Sequence, residues 1–129
     1  MVFVLFFMFA CSQRSYEKSE DLAVAFWQVM FFEPSKCEDF MRKHMAVQVF
    51  NSFMPASEEQ ARFFCSGREK YIGLYTKPIN ITAEVENRIK TPQGQDVELV
   101  AVSLHTPKGE PTIVKNFLVK IKERWYIAP

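Results

Sequence analysis

Hydrophobic positions follow two regimes along this chain, helical spacing up to about residue 72 and alternation from residue 79 onward. Leu22, Ala25, Phe26, Val29 and Met30 recur at the spacing of one helix face, with Phe32 just past them. Ser19 stands where an N-cap would, Glu20 and Asp21 follow where the helix dipole favours negative charge, and Pro34 ends the run. Ser35-Lys36-Cys37-Glu38 reads as a capping box ahead of Phe40, Met41, His44 and Met45. Ser57-Glu58-Glu59-Gln60 reads as a second, opening a third helix with Ala61, Phe63, Phe64 and Tyr71. Gly67 and Gly73 weaken the end of that helix, each by about 1 kcal/mol relative to alanine. Residues 46–55 are apolar and fit an extension of the second helix, a short strand or a hairpin.

From residue 79 to 89, Ile79, Ile81, Ala83, Val85 and Ile89 share one strand face, with Asn87 as the exception. Asn80, Thr82, Glu84, Glu86 and Arg88 form the wet face. A turn at Thr91-Pro92-Gln93-Gly94-Gln95 leads into residues 96–106, apolar on both faces, which predicts a central strand or a bulge. After Pro107-Lys108-Gly109-Glu110-Pro111, a third strand over 112–122 alternates through Ile113, Phe117, Val119 and Ile121. A reversal at Glu123-Arg124 then gives the strand Trp125-Tyr126-Ile127. The expected fold class is α+β: three N-terminal helices packed on a curved, mainly antiparallel four-stranded meander.

Composition narrows the function classes. With 129 residues, thirteen Phe and a formal net charge of +1, the chain suits one domain with a real core and lacks the basic stripe that nucleic acid demands. Only two His are present, no carboxylate spacing resembles a calcium loop, and four glycines form neither GxGxxG nor a P-loop. No metal or cofactor is implied. Phe31, Phe32, Phe50, Phe53 and Met54 exceed what two helix stripes require, so they belong to the core, a cavity or a dimer face. His44, beside Arg42 and Lys43, reads as a solvated or half-buried helix residue.

The first eleven residues, MVFVLFFMFAC, carry no charge and stop abruptly before SQRSYEKSED. This break resembles the end of a bacterial lipoprotein signal peptide, with Ala10 before a cysteine that takes lipid. The resemblance implies a signal peptide over 1–11, lipidation of Cys11, a tether over 12–18 and a domain over 19–129. It also implies attachment to a membrane of the bacterial cell envelope, facing the periplasm or the exterior. The residues alone also suit a hydrophobic first strand or core helix, and are short of the roughly 20 apolar residues of a membrane span. Once Cys11 is lipidated, Cys37 and Cys65 remain as an even pair, expected as a disulfide in an oxidising compartment. The alternative is two buried thiols.

The order of elements, the two long hairpins and the terminal run Phe117-Leu118-Val119-Lys120-Ile121-Lys122-Glu123-Arg124-Trp125-Tyr126-Ile127 resemble the nuclear transport factor 2-like superfold. The opening helix Asp21-Leu22-Ala23-Val24-Ala25-Phe26-Trp27 fits the same pattern, and exported members include small lipoproteins with SnoaL-like or lumazine-binding-like domains. The resemblance implies a cone whose sheet wraps around helices, with a cavity that is catalytic in some members and binds ligands or builds dimers in others. Asn87, Ser103, His105 and Lys115 are the polar residues whose strand parity would turn them toward such a cavity, where His105 and Lys115 would make an acid–base pair or anion clamp. The alternative is that His105 and Lys115 merely flank the turn at 107–111. Asp39 and Asp96 are the only carboxylates available for an isomerase or dehydratase site, and neither matches that motif.

The resulting expectation is an exported, lipid-anchored, non-catalytic binding module. It would hold a small apolar ligand or a protein partner in the cone cavity or on the sheet face, as a possible homodimer. A structural component of an envelope complex is the second reading and an enzyme the third. A deep pocket joining His105 to Lys115 would favour the enzyme; a filled core under an exposed apolar sheet face would favour assembly.

Overall fold

The computed structural model describes residues 16–129. Cys11, the 1–11 segment and the first part of the 12–18 tether lie outside the described residues. Helix α1 spans Ser19–Phe32, a 3₁₀ turn spans Pro34–Lys36, and α2 spans Cys37–His44. A hairpin of β1 (Ala46–Val49) and β2 (Ser52–Pro55) follows, then α3 (Glu58–Ser66) and α4 (Arg68–Ile72). The remainder is an antiparallel meander, β3 (Asn80–Lys90), β4 (Asp96–His105), β5 (Thr112–Ile121) and β6 (Arg124–Ala128), in spatial order β3-β4-β5-β6. Residues 46–55, open at the sequence level, are thus a separate hairpin, stitched to the sheet by a parallel bridge from Met45 to Ile127.

Two of the three expected helix starts differ from expectation. Ser19 is the first residue inside α1 rather than its cap; it is fully buried and its hydroxyl donates to Glu98 Oε1 on β4. Pro34, with its fixed φ, opens a 3₁₀ turn closed by Lys36 N–H to the Glu33 carbonyl at 2.9 Å. Ser35 is therefore already in helical backbone and cannot cap α2. The box at Ser57 forms in full: Gln60 N–H donates to Ser57 Oγ at 3.1 Å, and Ser57 N–H to Gln60 Oε1 at 2.7 Å. Beyond it the expected third helix breaks at Gly67 into α3 and α4. A Cys37–Cys65 disulfide, Cα atoms 5.9 Å apart, ties the start of α2 to the end of α3.

The main core lies between the helices and one sheet face. Leu22, Phe26, Trp27 and Met30 of α1 pack there on Val100, Val102, Leu104, Leu118 and Ile127. The sequence alternation misassigned part of this face. On β5 the helix-facing residues are Val114, Asn116 and Leu118, whereas Ile113, Phe117 and Val119 point to the outer face. A buried Asn on the inner face and apolar residues on the outer one inverted the apparent pattern. On β3 a register shift between Val85 and Asn87 does the same. Ile81, Ala83 and Val85 pack against the helix-side core, but Asn87 and Ile89 pair with Leu99 and Val97 on the outer face. Strand β4 is central, as its two apolar faces predict.

The last reversal is centred on Lys122 and Glu123, one residue earlier than expected, with both residues at positive φ (51° and 68°). That is the backbone of a type I′ turn, which ordinarily takes Asn-Gly.

Candidate functional site

All four cavity candidates lie on the outer face of the sheet, away from the helices. Cross-strand partners share a face, and the outer rows read Asn87–Leu99–Phe117, Ala101–Lys115, Ser103–Ile113 and Asn80–His105. His105 is engaged by Thr82 Oγ1 at 2.9 Å from its Nε2. Lys115 Nζ sits 2.8 Å from Glu86 Oε1. Lys115 is opposite Ala101, four residues along β4 from His105, or about 13 Å at 3.3 Å per residue. The two do not converge, so the acid–base pair or clamp expected from parity is not formed. The carboxylates are likewise committed at the surface: Asp39 pairs with Arg42 and Lys43, and Asp96 with Lys90 at 2.5 Å. A hydrogen bond from Lys43 leads in holding Asp39 below the ordinary carboxylate range, and one from Lys90 does so for Asp96.

Among the described residues, aromatic and amide side chains meet in the core between the helices and the sheet. Trp27, 1% exposed, donates from Nε1 to Asn116 Oδ1 at 2.8 Å. Tyr71 lies beside the same Asn side chain and stacks on Trp27 with ring centroids 5.6 Å apart. Burial, reinforced by the neighbouring Tyr75, pushes the Tyr71 phenol up, against the pull of Asn116. This contact satisfies the buried Asn116 side chain that β5 turns into the helix-side core.

A groove opens instead on the outer face. The β1–β2 hairpin stands over the end of the sheet and encloses about 570 Å³ with it, bordered by Val47, Phe53, Ile89, Val97, Phe117 and Ala128. Gln48, Asn51, Lys90 and Thr91 supply polar groups at its edge. Ile89 and Phe117 are 50% and 45% exposed, so the groove presents apolar surface to solvent. The Gln95 side chain holds the hairpin in place by copying a strand partner. Its Oε1 accepts from Phe53 N–H at 2.9 Å, and its Nε2 donates to the Phe53 carbonyl at 2.8 Å. Beneath the hairpin, Ala46, Val97 and Val119 form a second small core with Phe53, Ile121 and Tyr126. On the other side of β1 a wider groove of about 880 Å³ runs between Val47 and the α3 residues Gln60, Phe63 and Phe64.

His44 ends α2 next to this hairpin. It is buried rather than solvated, between the rings of Phe40 (4.8 Å) and Tyr16 (5.3 Å). Among the described residues its Nδ1 has no hydrogen-bond partner. Burial, with help from Arg124 and Lys43, lowers its pKa to about 4. Among the described residues no group of His, Cys, Asp and Glu is arranged to hold a metal ion, and no helix is long and apolar enough to cross a membrane.

The sequence reading missed Gln95, Glu98 and Asn116, the three polar residues that fix the architecture of both faces. Glu98 accepts from Ser19 and from Arg88 Nε, the latter at 2.8 Å, pinning α1 to the sheet. Of the five surplus apolar residues, Phe53 lines the outer groove and Phe31 is core, whereas Phe32, Phe50 and Met54 remain exposed.

No family model matches the chain, and no curated protein matches it. Among solved structures the chain is similar to a nuclear transport factor 2-like protein of unknown function from Exiguobacterium sp. 255-15, at 9% identity and a TM-score of 0.40, over 86% of this chain and 95% of that one. It is also similar to a domain of unknown function with a cystatin-like fold from Nostoc punctiforme PCC 73102, at 17% identity and a TM-score of 0.39, over 84% of this chain and 72% of that one.

Proposed function

We propose that this chain is an exported, lipid-anchored, non-catalytic binding module of the nuclear transport factor 2-like kind. Its small apolar ligand sits in the outer groove between the β1–β2 hairpin and the sheet, not inside the cone. The groove itself carries the reading: about 570 Å³, apolar walls, a few polar groups at the rim and a hairpin clamped by Gln95. That volume falls in the range of about 300–1,000 Å³ typical of small-molecule sites. The separation of His105 from Lys115 supports a binding role over a reactive one, and the disulfide suits an oxidising compartment. The lipid would be carried by Cys11, keeping the module at an envelope membrane.

One observation favours a second reading, assembly with a protein partner. Ile113, 50% exposed, continues the outer apolar surface beyond the groove, across Lys115 from Phe117. Titration with the neutral apolar dye N-phenyl-1-naphthylamine separates the two. Dye fluorescence rises with the parent protein and is lost in Ile89→Trp, which fills the groove from a half-exposed position. Equal enhancement in that variant would rule out the groove. Concentration-dependent association abolished by Ile113→Asp, with no dye binding, would transfer the function to assembly.

A further inference from the structure

The β1–β2 hairpin has features that its place in the fold does not require. Residues 46–56, AVQVFNSFMPA, include no charged side chain, although much of the hairpin meets solvent. At its tip Phe50 adopts φ 55°, where a two-residue turn of type II′ takes glycine, and its ring is 92% exposed. A strained aromatic so exposed gives the fold no return. Val49 and Met54 beside it are exposed as well. The Gln95 clamp keeps this apolar tip standing out from the domain.

The path of the chain shows where the tip can reach. Tyr16 packs on His44, two residues before β1, so the tether arrives at the base of the hairpin. From Met45 to Phe50 is five residues, about 17 Å of strand. From Cys11 to Tyr16 is also five residues, with a reach of about 17 Å. An anchor at Cys11 therefore leaves the tip just able to meet the surface that holds the anchor.

We infer that the hairpin tip is a membrane wedge: Phe50, flanked by Val49 and Met54, enters the boundary between headgroups and acyl chains of the bilayer that carries the anchor. This rests on the lipid-anchored reading above. The lipid holds the chain at the bilayer, and the wedge fixes the orientation of the domain as well as its distance.

The test uses the full chain on phosphatidylcholine vesicles containing brominated lipid, with Phe50→Trp as reporter. Trp27 and Trp125 are buried and give a constant background. Brominated lipid is expected to quench the added indole emission by about half or more while leaving the parent unchanged, as insertion to the acyl boundary requires. Intact mass of the chain reads lipidation of Cys11 separately. A lipidated chain whose added indole is unquenched overturns the wedge and leaves the anchor standing. Quenching on a chain without lipid supports the wedge and overturns the anchor. Neither signal overturns both. An added indole shielded from aqueous iodide yet unquenched by bromine is covered by protein, a second copy above all, and overturns the wedge.

Discussion

Breaking the Cys37–Cys65 bridge should cost this domain a large share of its stability. The two cysteines are 28 residues apart, and in the chain-entropy model closing that loop removes about 12 cal/mol/K from the unfolded ensemble, or about 3.6 kcal/mol at 25 °C. Whole domains of this size are stable by only about 5–15 kcal/mol, so the bridge matters. Cys65 is the better site to change, because it is only half-buried, whereas Cys37 is 2% exposed and a serine there would also bury a hydroxyl. Cys65→Ala leaves Cys37 as a buried thiol, which behaves as a small hydrophobe. Urea unfolding followed through the two buried tryptophans reports the loss. With a slope of about 1.5 kcal/mol per molar urea, the midpoint should fall by about 2 M in oxidised protein. Under reducing conditions parent and variant should nearly coincide. A shift below about 0.5 M in oxidised protein, or the same shift with reductant present, would show that the bridge does not carry this stability.

Other predictions concern single residues. His44 stays neutral in the fold down to about pH 4 while its unfolded counterpart titrates near 6.5. Between those values the unfolded chain takes up a proton that the folded one does not, so stability is full above pH 6.5 and falls as pH drops toward 4. The loss is at most about 3 kcal/mol and nearer 1–2 kcal/mol with solvent screening; His44→Leu should flatten stability across that window, and an unchanged slope would count against the burial argument. Asn116→Leu should destabilise by about 1–3 kcal/mol despite its added hydrophobicity, because the Trp27 indole N–H is left unpaired; a gain in urea midpoint would contradict the role of that contact. Glu123→Gly should stabilise by about 1 kcal/mol by relieving the positive φ of the last turn, read as a higher melting temperature, and a lower one would contradict the strain.

The helical half was legible because its signals are local. The spacing of Leu22, Phe26, Val29 and Met30, the Ser57 box and the weak point at Gly67 each act within a few residues, although the full break at Gly67 was not legible. Strand existence and order were legible for the same reason, through alternation and turn residues. Facing was not. The inner face of β5 holds Asn116, made tolerable only by Trp27, which lies 89 residues away, and the β3 bulge moves Asn87 and Ile89 across the sheet without any sequence mark. Because the four cavity candidates were chosen by parity, they moved to the outer face with it. The groove was illegible for a related reason: it exists because Gln95 reaches Phe53, 42 residues earlier, and a glutamine in a turn advertises nothing of the kind. The exposed tip at Phe50 could be seen only as a surplus aromatic until its φ and exposure were known.

The central claim is that ligand is held on the outer face beneath the hairpin. Photolabelling with a diazirine-bearing apolar alcohol, followed by peptide mapping, tests it most directly. Label is expected on the peptides carrying Phe53, Ile89 and Phe117, competed away by the unlabelled alcohol. Label concentrated on Trp27, Tyr71 and Asn116 would place the site between the helices and the sheet and rule out the outer groove.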